Sequence, residues 1–253
     1  MKPESAAAPT MTKVHEAIVD HLVDAILSGV YPSGSVLPNE GELAALHGVS
    51  RTAAREAMQR LGSLGMIESR RRKGATVLAR ESWKLLDPSL LSIAVLRVAD
   101  ASFFRSLLEA RLLIEPRAAE LAAQRASLQD VARIEASLHA MEREAEGPRG
   151  AGWAAADVAF HEGIINAAGN WVFKQLIGTV RAALDAGIRL TGEHALSAAA
   201  SLAQHRVVFD AIRSRRPQEA HEAMRHLLLA TQRDFDLLEK TGVLSVAAAQ
   251  QAP

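Results

Sequence analysis

The chain has 253 residues, room for one large domain or two ordinary ones, and its 49% hydrophobic content is ample for a core. Its 29 Lys and Arg balance 29 Asp and Glu, so no global field draws it to nucleic acid and any such affinity must be local. Cysteine is absent, which excludes disulfides and thiolate chemistry and suits a reducing cytoplasm, and no apolar run approaches the roughly 18 residues of a membrane span. Aromatics are only 4% while Ala and Leu abound, which favours helices over sheets.

Residues 1–11 lack the hydrophobic core of a signal peptide and read as a flexible leader. From Lys13 to Leu27, Val14, Ala17, Ile18, His21, Leu22, Ala25 and Ile26 trace a helical face. Gly29-Val30-Tyr31-Pro32-Ser33-Gly34 stops it. Asn39 is placed to cap the next helix, with Glu42 at the capping-box position and Leu43, Ala44 and Leu46 facing inward. His47-Gly48 closes that helix. Ser50 caps a third, which buries Ala54, Ala57, Met58 and Leu61. Met66–Ser69 and Ala75–Leu78 read as short strands, with Arg70 to Gly74 as the turn between them.

Residues 80–100 form a linker broken by Asp87-Pro88. Beyond it the pattern predicts helices over about 101–124, 127–145, 153–168, 171–190, 200–214 and 217–240, then a flexible tail at 243–253. The fold class is therefore mainly α: a winged helix-turn-helix over 12–79 and an all-helical bundle over 101–242.

A tight helix pair followed by a basic hairpin suits the DNA major groove. On the third helix, Arg51, Thr52 and Arg55 lie near the N-terminus and off the apolar side. Arg can bind guanine bidentately, Thr suits a phosphate or a thymine methyl, and a helix N-terminus favours phosphate. The turn Arg71-Arg72-Lys73-Gly74 adds cations for backbone or minor groove. Between Arg51 and Arg80, eight cationic residues face two acidic ones, so the neutral total conceals a basic patch. A run of arginines alone would read as a solvated face. Its coincidence with a helix-turn-helix and a wing favours DNA.

This segment resembles the N-terminal domain of the GntR family of bacterial transcription regulators. The resemblance rests on Gly29 to Gly34, Leu37-Pro38, Glu40, Gly48-Val49-Ser50-Arg51-Thr52, Arg55-Glu56-Ala57, Leu61, Gly65-Met66-Ile67 and Gly74. It implies operator contacts from Ser50, Arg51, Thr52, Arg55, Arg71, Arg72, Lys73 and Gly74. Many members carry Arg or Lys directly after the motif Glu, where this chain has Gly41. Arg51, Arg55 and the wing are then expected to carry more of the binding.

In the helical region, Asp157 and His161 stand four apart, a spacing that points both the same way. His205 and His226 lie on later helices. A carboxylate and imidazoles converging in a bundle suit a divalent metal such as Zn²⁺, Mn²⁺ or Ni²⁺. On residues alone the Asp-x-x-x-His spacing is a weak signal, and a buried Asp–His hydrogen bond or two exposed polar groups explain the pair better than a metal does. Arg111, four before Glu115, reads as a surface residue paired with it.

Residues 101–240 resemble the FCD ligand-binding domain of the FadR subfamily. The matches include Leu108-Glu109-Ala110-Arg111, Ile114-Glu115-Pro116, Asp157, Phe160-His161, Asn170, His205-Arg206, Phe209 to Ile212 and Ala223-Met224-Arg225. The resemblance implies a divalent ion, zinc first with Mn or Ni as alternatives, on Asp157, His161 and His205. It also implies that Arg111 faces the effector cavity, where it would pair with a carboxylate. An ungapped match places the family's last metal His at Leu227, one past His226, and one helical step turns a side chain by about 100°. Either His226 substitutes after a small shift, or the protein supplies three ligands. The segment from Trp83 to Leu91 resembles the WxLLDPxxL segment of galactonate-type repressors, which implies an aldonate or hexuronate effector.

Three rivals are weaker. A metal-dependent enzyme would need a base such as His194 or Glu162, neither of which sits in a catalytic motif. A fatty acyl-CoA sensor belongs to a branch that generally lacks the Asp/His set. An architectural DNA-binding protein would not need the converging polar residues. The expectation is a cytoplasmic homodimeric regulator, not an enzyme. Its partners would be double-stranded operator DNA and a small carboxylate.

Overall fold

The computed structural model describes residues 11–70, 74–87, 90–91, 93–94, 101–145, 150–191 and 198–241. These fall into two compact units, within residues 1–98 and 99–253. No helix among the described residues is long and apolar enough to cross a membrane.

The first unit begins with α1 (Met11–Leu27). Its core face is turned by one position from the expected stripe. Val19 and Val23 are buried beside Ile18, Leu22 and Ile26, whereas Ala17 and His21 are exposed. Next come β1 (Val36–Leu37), α2 (Glu40–His47) and α3 (Arg51–Ser63). Asn39 closes a full capping box on α2: its side chain accepts from Gly41 and Glu42, and Glu42 accepts from its backbone N–H at 2.8 Å. Gly48 ends α2 with φ of 63°, a left-handed conformation that costs glycine little. Leu46, expected inside, is 66% exposed. The buried face is set by Leu43 and Ala44, and position 46 lies about 200° round the helix from Ala44.

Strands β2 (Ile67–Arg70) and β3 (Gly74–Val77) form the wing. They pair antiparallel from Ile67↔Val77 to Arg70↔Gly74, and β1 joins the far edge of β3 to give the order β1-β3-β2. A two-residue strand is too short to carry a periodic pattern, so β1 was not expected. The linker is not featureless. A 3-10 turn at Arg80–Ser82 leads to Trp83, whose indole donates to the Leu78 carbonyl at 3.0 Å. Arg60 on α3 grips Asp87 with one nitrogen at 2.9 and 3.1 Å from its two oxygens, and Leu90 is buried in the core of this unit.

The second unit is wholly helical among the described residues: α4 (Ala101–Arg125), α5 (Leu128–Glu144), α6 (Ala151–Ala167), α7 (Trp171–Gln175), α8 (Ile177–Thr191), α9 (Ala198–Arg213) and α10 (Pro217–Lys240). The single helix expected over 171–190 is broken at Leu176 into α7 and α8. Helix α4 packs along α10 and on α6 and α8, while α9 packs on α10, α5 and α4. Their shared core holds Trp153, Phe160, Ile134, Phe209 and Leu228. Pro116 lies inside α4, where it cannot donate to the Leu112 carbonyl and weakens the helix beside Glu115.

Candidate functional site

Two sites stand out, an exposed face in the first unit and a buried cluster in the second. On α3, Ser50 caps the N-terminus by accepting from the Ala53 N–H at 3.1 Å. Ala53, Ala54, Ala57, Met58 and Leu61 face the core, which leaves Arg51, Thr52 and Arg55 exposed on the other side. Arg51 and Arg55 make no ion pair or hydrogen bond among the described residues, unlike Arg60, which is tied to Asp87. The Arg51 guanidinium lies beside Gly41: a Cβ built there would stand 3.6 Å from its Nη2. That is ordinary van der Waals contact; the tighter neighbour of such a Cβ is Asn39 Oδ1 at 3.2 Å. Gly74 starts β3, while Arg71, Arg72 and Lys73 lie outside the described residues.

In the helical unit, five polar side chains meet in the interior. Arg111 and Glu115 project from α4, Asp157 and His161 from α6, and His205 from α9. Each of the first two pairs is spaced i,i+4, so one helix presents both members to the same volume. Arg111, Glu115 and His161 are 1–2% exposed. Arg111 donates to Glu115 through Nε, and its Nη2 lies 3.4 Å from the second carboxylate oxygen. That same oxygen accepts from His161 Nδ1. His205 donates from Nδ1 to the Ser201 carbonyl at 2.8 Å, and its Nε2 lies 2.9 Å from Asp157 Oδ1. His161 Nε2 lies 3.5 Å from the same oxygen.

Burial pushes the Glu115 carboxyl up in pKa, but the charges of Arg111 and His161 outweigh it and bring it down to about 2. Asp157 is driven up by burial too, yet the two histidines beside it hold it well below the usual carboxylate range. Burial opposes a charge on His161, but Glu115 and Asp157 raise its pKa overall. Two imidazole nitrogens thus converge on one carboxylate oxygen. A positive centre belongs between them, either a proton on Nε2 or a metal ion.

The donor set fits a metal. One atom each from Asp157, His161 and His205 lie within 4.8 Å of one another, all on buried residues. The 2.9 and 3.5 Å separations match the roughly 3.0–3.5 Å between neighbouring donors around an ion with bonds near 2.1 Å. His226 does not join them. It is exposed on α10 and lines a surface groove with Gln204, Val207 and Arg233, while Leu227, one residue further on, is buried. The one-residue offset seen in the sequence therefore persists, and three candidate ligands come together among the described residues. Glu115 is the residue that sequence reasoning missed as part of the site. Its spacing to Arg111 was visible, but a surface ion pair has the same spacing. The pair is buried and touches His161. Glu162 is instead paired with Arg181 at 2.5 Å, and His194 lies outside the described residues.

Residues 14–77 match the family described as bacterial regulatory proteins, gntR family, and residues 106–230 match the FCD domain. The galactonate operon transcriptional repressor of Escherichia coli K12 is 32% identical over 225 residues, covering 86% of this chain and 95% of that protein. The HTH-type transcriptional regulator Mce2R of Mycobacterium tuberculosis is 34% identical, covering 87% and 90%. A solved structure of Lar, which controls the agr system of Listeria monocytogenes, shares the fold with a TM-score of 0.60. It has 16% identity and covers 92% of this chain and 100% of its own. These families and curated relatives are transcriptional regulators rather than enzymes. With a winged helix-turn-helix that exposes Arg51 and Arg55, and an FCD domain that follows it in the sequence, this chain belongs to the GntR family of DNA-binding transcriptional regulators.

Proposed function

We propose that the chain is a cytoplasmic, homodimeric repressor of sugar-acid genes, released from its operator by a small carboxylate such as galactonate or a related aldonate or hexuronate. The observation that carries this reading is the buried cluster of Asp157, His161 and His205 beside Arg111, inside the regulatory unit of a DNA-binding chain. A structural core does not need five converging polar groups, because each costs desolvation that only good pairing offsets. The relative named for the galactonate operon and the Trp83 to Leu91 segment support the effector class.

Asp157, His161 and His205 would hold a divalent ion, zinc first and manganese or nickel as alternatives, which when bound supplies a Lewis-acidic position for a carboxylate oxygen. The chain's own groups do the rest. Arg111 spends Nε and Nη2 on Glu115, and its Nη1 makes no hydrogen bond among the described residues. That nitrogen remains as a donor for the effector. The operator is read by Arg51, Thr52 and Arg55 in the major groove, with the Arg71-Arg72-Lys73-Gly74 turn on backbone or minor groove and Ser50 holding the helix N-terminus. An effector that binds the non-DNA state better lowers operator affinity by its differential affinity, typically 5–150-fold.

The test is fluorescence anisotropy on the DNA upstream of the chain's own gene, titrated with aldonic and uronic acids with and without prior chelation. Release by one acid, lost after chelation, is the expected result. Tight binding that no acid disturbs would refute the sugar-acid assignment while keeping the DNA-binding one.

A further inference from the structure

His161 and His205 are anchored in the same way by different means. Each is held at Nδ1 by an acceptor behind it and presents Nε2 to Asp157. For His205 the acceptor is the Ser201 carbonyl, one turn back on its own helix. A carbonyl only accepts, so Nδ1 carries the hydrogen and Nε2 is the nitrogen free to bind an ion. His161 has no such carbonyl. Its acceptor is the carboxylate of Glu115, from another helix and with a full charge.

We propose that Glu115, braced by Arg111, is a positioning residue that fixes His161 as an Nε2 metal ligand and raises its basicity. The proposal rests on the metal reading above. A carboxylate behind a ligating imidazole fixes its tautomer and ring direction and makes the nitrogen facing the ion a stronger donor. An isolated carboxylate in this interior would be costly, since burial disfavours its charge. Arg111 answers that cost: Nε and Nη2 lie along the two carboxylate oxygens, one of which still faces His161 Nδ1. A buried Arg–Glu pair kept for stability alone is a poor device, because apolar residues of similar volume do as well or better. Such a pair has no reason to contact a histidine of the metal cluster.

The experiment uses the full chain with Co²⁺ as the affinity probe and Zn²⁺ for spectroscopy. Glu115→Gln keeps an acceptor oxygen but removes the charge. Arg111→Met with Glu115→Gln removes both charges, so a misfolded single variant still leaves a decisive measurement. Both are expected to bind Co²⁺ about 10–100-fold more weakly than wild type. In the ¹⁵N-labelled, Zn²⁺-loaded protein, the His161 Nδ1 proton is expected as a strongly deshielded resonance that moves upfield in both. Wild-type Co²⁺ affinity in the variants overturns the proposal and leaves the metal reading standing. Weaker affinity with an unmoved Nδ1 proton also overturns it, by marking a purely structural role. If the wild-type chain takes up neither ion, the metal reading itself fails and the positioning role goes with it.

Discussion

Arg51 and Arg60 sit on one helix, and their partners separate their roles. Arg60 is tied to Asp87, whereas Arg51 is exposed and unpaired among the described residues. Arg51→Ala should lower operator affinity about 10–100-fold, the loss of a bidentate base contact worth 1–3 kcal/mol, at unchanged melting temperature. Arg60→Ala should shift melting more than affinity. Equal operator affinity for Arg51→Ala and wild type would remove Arg51 from the interface. The histidines divide in the same way. His161→Ala should abolish metal uptake, while His226→Ala, on the exposed side of α10, should keep wild-type stoichiometry by elemental analysis. Asp157 and His161 were legible because an i,i+4 pair on a helix is a local property. That His205 reaches them is tertiary, and residue spacing alone does not say so. Glu115 was visible as a partner for Arg111, but burial decides whether such a pair is a surface ornament or part of a site.

At the scale of elements, caps were readable and breaks inside apolar runs were not. Asn39 with Glu42, and Ser50, act within one turn of the chain, and both are formed as expected. The split at Leu176 interrupts a continuous apolar pattern, so nothing local announces it. The same capping logic gives a pH prediction at α5. Ser127 accepts from the Asp130 N–H at 3.1 Å, and Asp130 accepts from the Ser127 backbone N–H at 2.9 Å. The Ser127 hydroxyl and backbone, then Arg133, lower the Asp130 pKa in the fold. A carboxyl depressed by folding stabilises fully above its unfolded pKa, and that stability is lost as pH falls through the folded value. Ser127→Ala should cost about 1 kcal/mol at neutral pH. The melting-temperature gap between wild type and Asp130→Asn should hold from pH 7 down to about 4, then narrow below it. A gap that widens in acid would mean that the carboxylate is not what the cap uses.

For the whole molecule, the balance of 29 cationic against 29 acidic residues decides how DNA affinity must arise. Without a global field, binding depends on the basic cluster between Arg51 and Arg80, and one such cluster is a small contact. In the proposed homodimer two heads would solve this through effective concentration: once one head is seated, the second binds as if intramolecularly. A two-fold protein then needs a two-fold site, with half-sites one helical turn or a multiple apart. This makes a prediction independent of metal and effector. Scrambling one half of the operator palindrome should reduce the affinity of the intact chain by about 10²-fold or more, the avidity a linked second site contributes. Inserting five base pairs between the halves should do the same, because half a turn places the second half-site on the opposite face of the duplex. Affinity within a few-fold of the intact operator in either case would show that one head suffices. The homodimeric reading would then have to be abandoned, whatever its sugar-acid response.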